Sequence, residues 1–397
     1  MIELKKDLYW VGIKDWELKK FHGDEFSTPS GSSYNSYLVK GREKTVLVDT
    51  CWGPFKEEFI HHLETHLGLD KIDALICQHS ESDHSGAMTF LLERRPDLPV
   101  YCTAKGKQML MAQYHKEWNF VTVKTGDTLD LGGYMLQFVE APMLHWPDTM
   151  FTYIQGMAVL LPNDAFGQHY AFGPMFADEA DPCLLWKEAI TYYANIVAPY
   201  AKMVRAKIDQ LKKMNLPIEM ICPSHGLIWR DDPMQIVEKY YEWAGPYKEN
   251  QVAILYDTMW HETKAMAEAL ARGITRTGMV AKVINAAKND ETFMLTEAFR
   301  SAGILVGSPT INNGISHAMA ALMEGLKHLK LQGKKGAAFG SCGWSGEAPA
   351  LLQKHLEEAN VEIAGGPFKA IHMPYEDQIA ELENFGEAFA KGLISAE

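Results

Sequence analysis

From Ala74 the chain reads ALICQHSESDH, an apolar run that opens directly onto His79, Glu81, Asp83 and His84. Four side chains able to ligate a metal thus fall within six residues, just past a strand, where one loop can turn them toward a common point. Taken singly, a His or Asp is usually a satisfied core or surface group. The order HxExDH points to something more. Further candidates stand at His145 in MLHWPD, Asp164 in LPND and His225 in CPSHG. Each follows an apolar run and lies near Pro or Gly, so each can crown a strand end. Imidazole and carboxylate together make a nitrogen and oxygen donor set suited to a divalent transition metal.

A second group of residues suits phosphate chemistry. The apolar run Val252–Tyr256 ends in Asp257, Thr258, Met259, Trp260, His261, Glu262 and Thr263, directly before a helical pattern. Hydroxyls and backbone N–H groups at a helix N-terminus suit a phosphate dianion. The loop holds no Lys and the chain no GxxxxGK(S/T) element, which argues against nucleoside triphosphates. Two later loops follow further apolar runs. One carries Pro309, Thr310, Ile311, Asn312 and Asn313; the other carries Ser341, Cys342, Gly343, Trp344, Ser345 and Gly346.

The elements that must position these groups differ between the two halves. Up to about Gly245, short strands at Leu8–Ile13, Thr45–Asp49, Ala74–Cys77, Val121–Val123, Tyr134–Val139 and Met150–Ile154 mix with helices. A long helix is predicted from Pro182 until Pro199 interrupts it. This mixture indicates an α+β layer arrangement. Beyond Gly245-Pro246 strands and helices alternate regularly. Strands are predicted at Val252–Tyr256, Val280–Ile284, Ile304–Val306, Gly336–Phe339 and Val361–Ala364, each followed by a helix. Such alternation means a doubly wound parallel sheet, whose ligands sit at the carboxyl ends of the strands.

Composition bounds the possibilities. The 397 residues carry 38 Lys plus Arg against 51 Asp plus Glu, a formal charge of −13, with 47% hydrophobic residues. These values are ordinary for globular proteins and exclude a disordered tail or collagen-like chain. An acidic chain without a run of Lys and Arg is poorly suited to nucleic acid or anionic membranes. No apolar stretch approaches the ~18 residues of a membrane span, and no secretory leader is visible. The six cysteines are scattered, which excludes an iron–sulfur cluster with local spacing and predicts reduced thiols in the cytoplasm.

These residues carry a resemblance. The first half resembles a metallo-β-lactamase-fold domain, whose usual signature is HxHxDH with three later ligands. Glu81 stands here in place of the middle His, which makes a harder, more anionic site that better holds redox iron. The same replacement marks the flavodiiron proteins, and the second half resembles the short-chain flavodoxin that family requires. The resemblance implies α+β plus α/β architecture: an αββα sandwich over residues 1–248, then a flavodoxin-like doubly wound sheet over residues 249–397. It implies one iron held by His79, Glu81 and His145, another by Asp83, His84 and His225, and Asp164 bridging them, with the His84 bond formed in some members and not in others. It places His22, Trp146 and Tyr193 near the iron pocket, and FMN in the three loops of the second half.

The resemblance also implies reduction of dioxygen to water or of nitric oxide to nitrous oxide, in the cytoplasm. FMN passes electrons singly and a diiron centre stores them, a pairing suited to multi-electron reduction of a small diatomic. No rubredoxin or flavin reductase module is seen, so a separate donor is expected, a rubredoxin or reduced coenzyme F420. A head-to-tail homodimer or a dimer of dimers would bring one subunit's FMN to the other's irons. Two other readings are a lactamase-fold metallohydrolase working through zinc and an activated water, and a non-catalytic FMN electron carrier.

Overall fold

The computed structural model describes residues 1–329 and 331–394. Its contacts gather the chain into two compact units, Met1–Phe21 with Thr28–Ala244, and His22–Ser27 with the chain from Gly245 onward.

The first unit holds two sheets. Strands β1 (Ile2–Lys5), β2 (Leu8–Trp10), β3 (Tyr37–Lys40), β4 (Thr45–Val48), β5 (Ala74–Ile76), β6 (Val100–Thr103) and β7 (Phe120–Val123) lie side by side in chain order. They run antiparallel from β1 to β4 and parallel from β4 to β7. The second sheet is β8 (Thr128–Asp130), β9 (Met135–Glu140), β10 (Met150–Gln155), β11 (Val159–Leu161) and β12 (Met220–Ile221). Val46, Val48 and Ile76 of the first sheet share one buried cluster with Phe138, Met150 and Leu161 of the second. Strands covered on both faces read as continuous apolar runs, which is why β5 and β11 lack alternation. Helix Ala104–Tyr114 packs on β6 and β7, and helix Ala201–Met214 packs on Met234–Trp243. The arrangement is the lactamase-like sandwich the sequence implied.

Two expectations need correction. The predicted strand Leu8–Ile13 breaks after Trp10, and Ile13–Asp15 pairs instead with Ser32–Tyr34. The chain passes so close at Gly12 that a Cβ there would lie 2.2 Å from the Tyr34 carbonyl oxygen. The helix from Pro182 keeps α geometry only to Tyr192. A π turn over Tyr193–Val197 and a 3-10 turn holding Pro199 precede the restart at Ala201. Proline has no N–H for the α ladder, so the bonding must be redistributed around it.

The second unit is one parallel sheet of β13 (Glu249–Tyr256), β14 (Val280–Asn285), β15 (Ser301–Gly307), β16 (Lys335–Cys342), β17 (Glu362–Ile363) and β18 (Phe368–Ile371). The order is β14-β13-β15-β16, with both β17 and β18 on the outer edge of β16. The predicted fifth strand, Val361–Ala364, is β17 alone; β18 is a further strand that the sequence did not show, set off by a turn at Gly365 and Gly366, both at positive φ. Separate buried clusters cover the two faces. No described helix is long and apolar enough to cross a membrane.

At the base of this sheet the Lys334 ammonium donates to the carbonyls of Ser301 at 2.6 Å, Phe299 at 2.7 Å and Tyr247 at 3.1 Å. Burial pushes its pKa down from 10.5 to about 7, against the opposing pull of Glu249. Between those values the unfolded chain binds the extra proton and the folded chain does not. Stability therefore rises with pH from about 7 toward 10, by at most about 1.4 kcal/mol per pH unit. Urea unfolding of the full chain at pH 7 and 9 checks this. Lys334→Met is expected to remove that rise and to cost about 2 kcal/mol through unsatisfied carbonyls.

Candidate metal centre and cofactor edge

Every predicted metal ligand follows a strand end of the first unit. His79 and Glu81 lie in the loop after β5, and the short turn Ser82–Ser85 presents Asp83 and His84. His145 sits between β9 and β10, Asp164 after β11, and His225 after β12. The fold gathers them into two groups, His79, Glu81, His145 and Asp164, and Asp83, His84 and His225, with ligand atoms within 4.8 Å of one another in each. Glu81 Oε2 is 3.2 Å from His79 Nε2 and 3.3 Å from His145 Nε2. Asp83 Oδ2 is 3.2 Å from His84 Nε2 and 3.0 Å from His225 Nε2.

Asp164 joins the groups. Its Oδ2 lies 3.4 Å from His145 Nε2 and 3.7 Å from His79 Nε2, while its Oδ1 lies 3.0 Å from His84 Nε2 and 3.4 Å from His225 Nε2. Each oxygen faces one group, the disposition a bridging carboxylate needs.

The charges are strongly coupled. Burial pushes the His84 imidazole down, but Asp164 and Asp83 outweigh it and raise its pKa to about 10. Burial acts likewise on His79, which Asp148 and Glu81 nevertheless hold well above the usual range. Burial alone would raise Asp164, yet the surrounding imidazoles draw it well below the carboxylate range. Among the described residues, Asp83 Oδ1, Asp164 Oδ2 and His84 Nδ1 make no hydrogen bond despite their burial. Leaving such groups unsatisfied costs about 1–3 kcal/mol each. Cations among these carboxylates would replace the imidazolium protons as countercharge, so a pair of metal ions fits the residues present.

Around the candidate ligands lies a set of buried partners. The His79 Nδ1–H donates to Asp148 Oδ1 at 3.1 Å, and Asp148 Oδ2 accepts from the Ser80 N–H at 2.7 Å. His225 Nδ1–H donates to the Ser33 carbonyl at 2.7 Å, and Ser224 Oγ donates to Asp164 Oδ1 at 2.6 Å. Asp49 accepts from the Gln78 N–H and from Asn163 Nδ2, tying together the residues that precede His79 and Asp164. Sequence reasoning missed this layer. Gln78, Asp148, Asn163 and Ser224 carried a signal, since each lies beside or near a ligand in a loop; Asp49 and Ser33 did not.

In the second unit the loops after β13, β15 and β16 share the carboxyl edge, and the sheet order reverses between β13 and β15. That is the switch point where such sheets bind ligands. Thr258 Oγ1 is buried there without a hydrogen-bond partner among the described residues. Helix Glu262–Thr275 begins after His261 at φ 74° with no side-chain cap, leaving first-turn N–H groups for an anion. Asn312 and Asn313 turn the second loop at φ 48° and 60°. Trp260 and Trp344 leave 74% and 86% of their surface in water, an exposure a planar cofactor between them would reduce.

Several expected contacts differ in detail. Ser341 and Cys342 are the last residues of β16 rather than loop residues, because β18 pairs with them and extends the ladder. Cys342 Sγ turns toward the Ala370 carbonyl, and Ser341 Oγ shares a 2.9 Å hydrogen bond with Thr263 Oγ1. Thr310 Oγ1 accepts from the Ala348 N–H, and Ser345 Oγ donates to Glu347. Exposed Ile371 ends β18 and exposed Met373 and Tyr375 follow it; none was anticipated, since this strand was missed.

Comparison with known proteins supports both halves. Residues 33–226 match the family model for the ODP family beta lactamase, and residues 254–385 match that for flavodoxin. The anaerobic nitric oxide reductase flavorubredoxin of Klebsiella pneumoniae is 47% identical over 367 residues, 91% of this chain and 76% of that protein. Its Escherichia coli counterpart is 45% identical over 394 residues, 98% of this chain and 82% of that protein. Among solved structures, rubredoxin oxygen:oxidoreductase from the anaerobe Desulfovibrio gigas gives a TM-score of 0.96 at 35% identity, covering 99% of this chain and 98% of that one. The flavodiiron protein of Giardia intestinalis gives 0.95 at 30%, covering 99% and 97%. The chain belongs to the flavodiiron family.

In this flavodiiron protein the aromatic surroundings of the metal centre differ from expectation at Tyr193. Trp146 does stand edge-on to His79, with ring centroids 4.9 Å apart. Tyr193, expected at the pocket, packs instead against Tyr240 at 4.9 Å and Trp243 at 5.4 Å. Its neighbour Tyr192 takes the pocket side, 6.2 Å from the His225 ring and 5.0 Å from His169. Consecutive helical residues point about 100° apart, so one residue of offset moves the side chain off the site. His22 packs on Phe26 at 5.2 Å, while Phe21 lies 5.5 Å from His225 and 4.6 Å from His169.

Asp148 fixes the tautomer of His79, so Asp148→Asn would offer that ring an amide in place of a carboxylate. Metal affinity at the first group is expected to fall by about 10–100-fold. Titration of the metal-stripped protein with ferrous iron, followed by optical spectroscopy, reads this directly.

Proposed function

We propose that the chain reduces dioxygen to water and nitric oxide to nitrous oxide and water, drawing electrons through FMN to a diiron centre. Bound iron and FMN would supply the electron storage and transfer. His79, Glu81 and His145 hold one ion in this reading, Asp83, His84 and His225 hold the other, and Asp164 spans both. The observation that carries it is the placement of the two Asp164 oxygens on two separate imidazole–carboxylate groups. Both reductions consume protons and electrons in equal number, and the buried hydrogen-bonded partners Asp148, Ser224 and the Ser33 carbonyl keep the ligands oriented while charge changes. Trp260 and Trp344 would line the flavin ring, and Thr258 with the start of helix Glu262–Thr275 would hold the FMN phosphate. A separate carrier, a rubredoxin or reduced coenzyme F420, delivers electrons, and a head-to-tail homodimer in the cytoplasm brings FMN and iron of different subunits together.

Anaerobic photoreduction followed by rapid mixing with either gas tests the proposal. Flavin reoxidation is expected to be fast with at least one gas and to slow by about a hundredfold or more in His79→Ala with FMN retained. Slow reoxidation by both gases, indifferent to that substitution, would leave only an electron carrier. Zinc rather than iron in the purified protein would favour a hydrolase.

A further inference from the structure

The centre around Asp164 does not account for every metal-binding side chain of the first unit. A cavity of about 250 Å³ opens between the end of β2 and helix Lys56–His66, and Trp10, Lys14, Trp16, Glu58, His62 and His66 are among the residues lining it. Glu58, His62 and His66 recur at four-residue intervals, so they form one stripe on one face of that helix. The positive charge on the same wall is already engaged, since the Lys14 ammonium donates to the Gly173 carbonyl and lies 5.5 Å from the Trp10 ring centroid.

The two histidines are disposed for an ion. His66 Nδ1 lies 2.8 Å from the His62 carbonyl oxygen, so Nδ1 is the donor there and Nε2 is the nitrogen left to meet an ion. Anchoring one ring nitrogen on a carbonyl is how metal-bound imidazoles are usually oriented. The ring centroids of His62 and His66 are 6.3 Å apart at 84°. Imidazole nitrogens bind such ions at about 2.0–2.1 Å, so the His62 ring must turn toward Nε2 of the anchored His66 for one ion to meet both rings. His66 is also the last residue of its helix, where unpaired carbonyls and the negative end of the helix dipole favour a cation.

We propose that His62 and His66 form a second, exchangeable site for a divalent transition-metal ion, with the Glu58 carboxylate one turn away offsetting its charge. Two imidazoles and a nearby carboxylate favour copper, nickel or zinc over calcium or magnesium. The inference is independent of the iron centre and of the gas chemistry.

The probe is one equivalent of Cu²⁺ added to the iron- and FMN-loaded protein, read by electron paramagnetic resonance and by calorimetric titration. The expected spectrum shows coupling to two imidazole nitrogens. His62→Ala or His66→Ala should each leave one nitrogen and weaken binding at least about tenfold, whereas His61→Ala, on the neighbouring helix face, should change neither. Circular dichroism, iron content and flavin absorbance should be the same in all variants. Two-nitrogen copper binding that survives the double substitution, or copper uptake matched by iron release, would overturn the assignment.

Discussion

Asp164→Ala is expected to empty both metal positions while FMN stays bound. Among the described residues, Asp164 is the one carboxylate whose two oxygens face different groups, 3.0 Å from His84 on one side and 3.4 Å from His145 on the other. Without it, two dications held in a buried site would repel each other across a gap that no anion spans. The four imidazoles would then have fewer carboxylates to hold a proton or a metal. Elemental analysis should find iron reduced to a small fraction, and flavin reoxidation by either gas should slow at least about a thousandfold, some 4 kcal/mol of barrier. Asp164→Asn separates shape from charge: the amide offers one neutral oxygen, so at most one ion should remain. Normal iron content and rate in the Ala variant would mean that the bridge is dispensable and the diiron reading wrong.

Glu81→His should change which metal the protein prefers. Glu81 Oε2 lies between His79 and His145, and apart from Asp164 it is the only carboxylate of that group. Exchanging it for a neutral imidazole recreates the HxHxDH order, removes one negative charge and softens the donor set. Grown with equal iron and zinc, the variant is expected to carry mostly zinc at this group, where the unaltered chain carries iron. Flavin reoxidation should fall about a hundredfold or more, because zinc has no redox chemistry. If the variant keeps iron and its rate, selectivity must reside in the surrounding partners, with Asp148 the first to examine.

Much of the site was legible because its information is local. His79, Glu81, Asp83 and His84 share one loop, and a loop leaving a strand in a layered fold has few directions open to it. His145, Asp164 and His225 were marked by adjoining apolar runs and turn residues, and all three reached the same place. The regular alternation after Gly245 likewise fixed a parallel sheet, because parallel strands need crossovers and helices supply them. The cofactor loops followed from that sheet. What failed were boundaries and phases. β16 extends through Ser341 and Cys342 because β18, unseen in the sequence, pairs there. Tyr192 rather than Tyr193 meets His225 because facing depends on helical phase, and the π turn at Tyr193–Val197 lies next to it.

The residue types and their order by themselves determined the two-part architecture, the donor chemistry of the metal ligands and the edge at which a phosphate-bearing cofactor enters. These depend on composition, periodicity and neighbours along the chain. Only the tertiary structure decided which oxygen of Asp164 faces which imidazole, and that the His79 ring rests on Asp148, 69 residues away, and His225 on the Ser33 carbonyl, 192 residues away. Such pairings arise when separate strands pack into common layers. Hydrogen-bond direction and distance are set by that packing, and no local pattern in the chain encodes them.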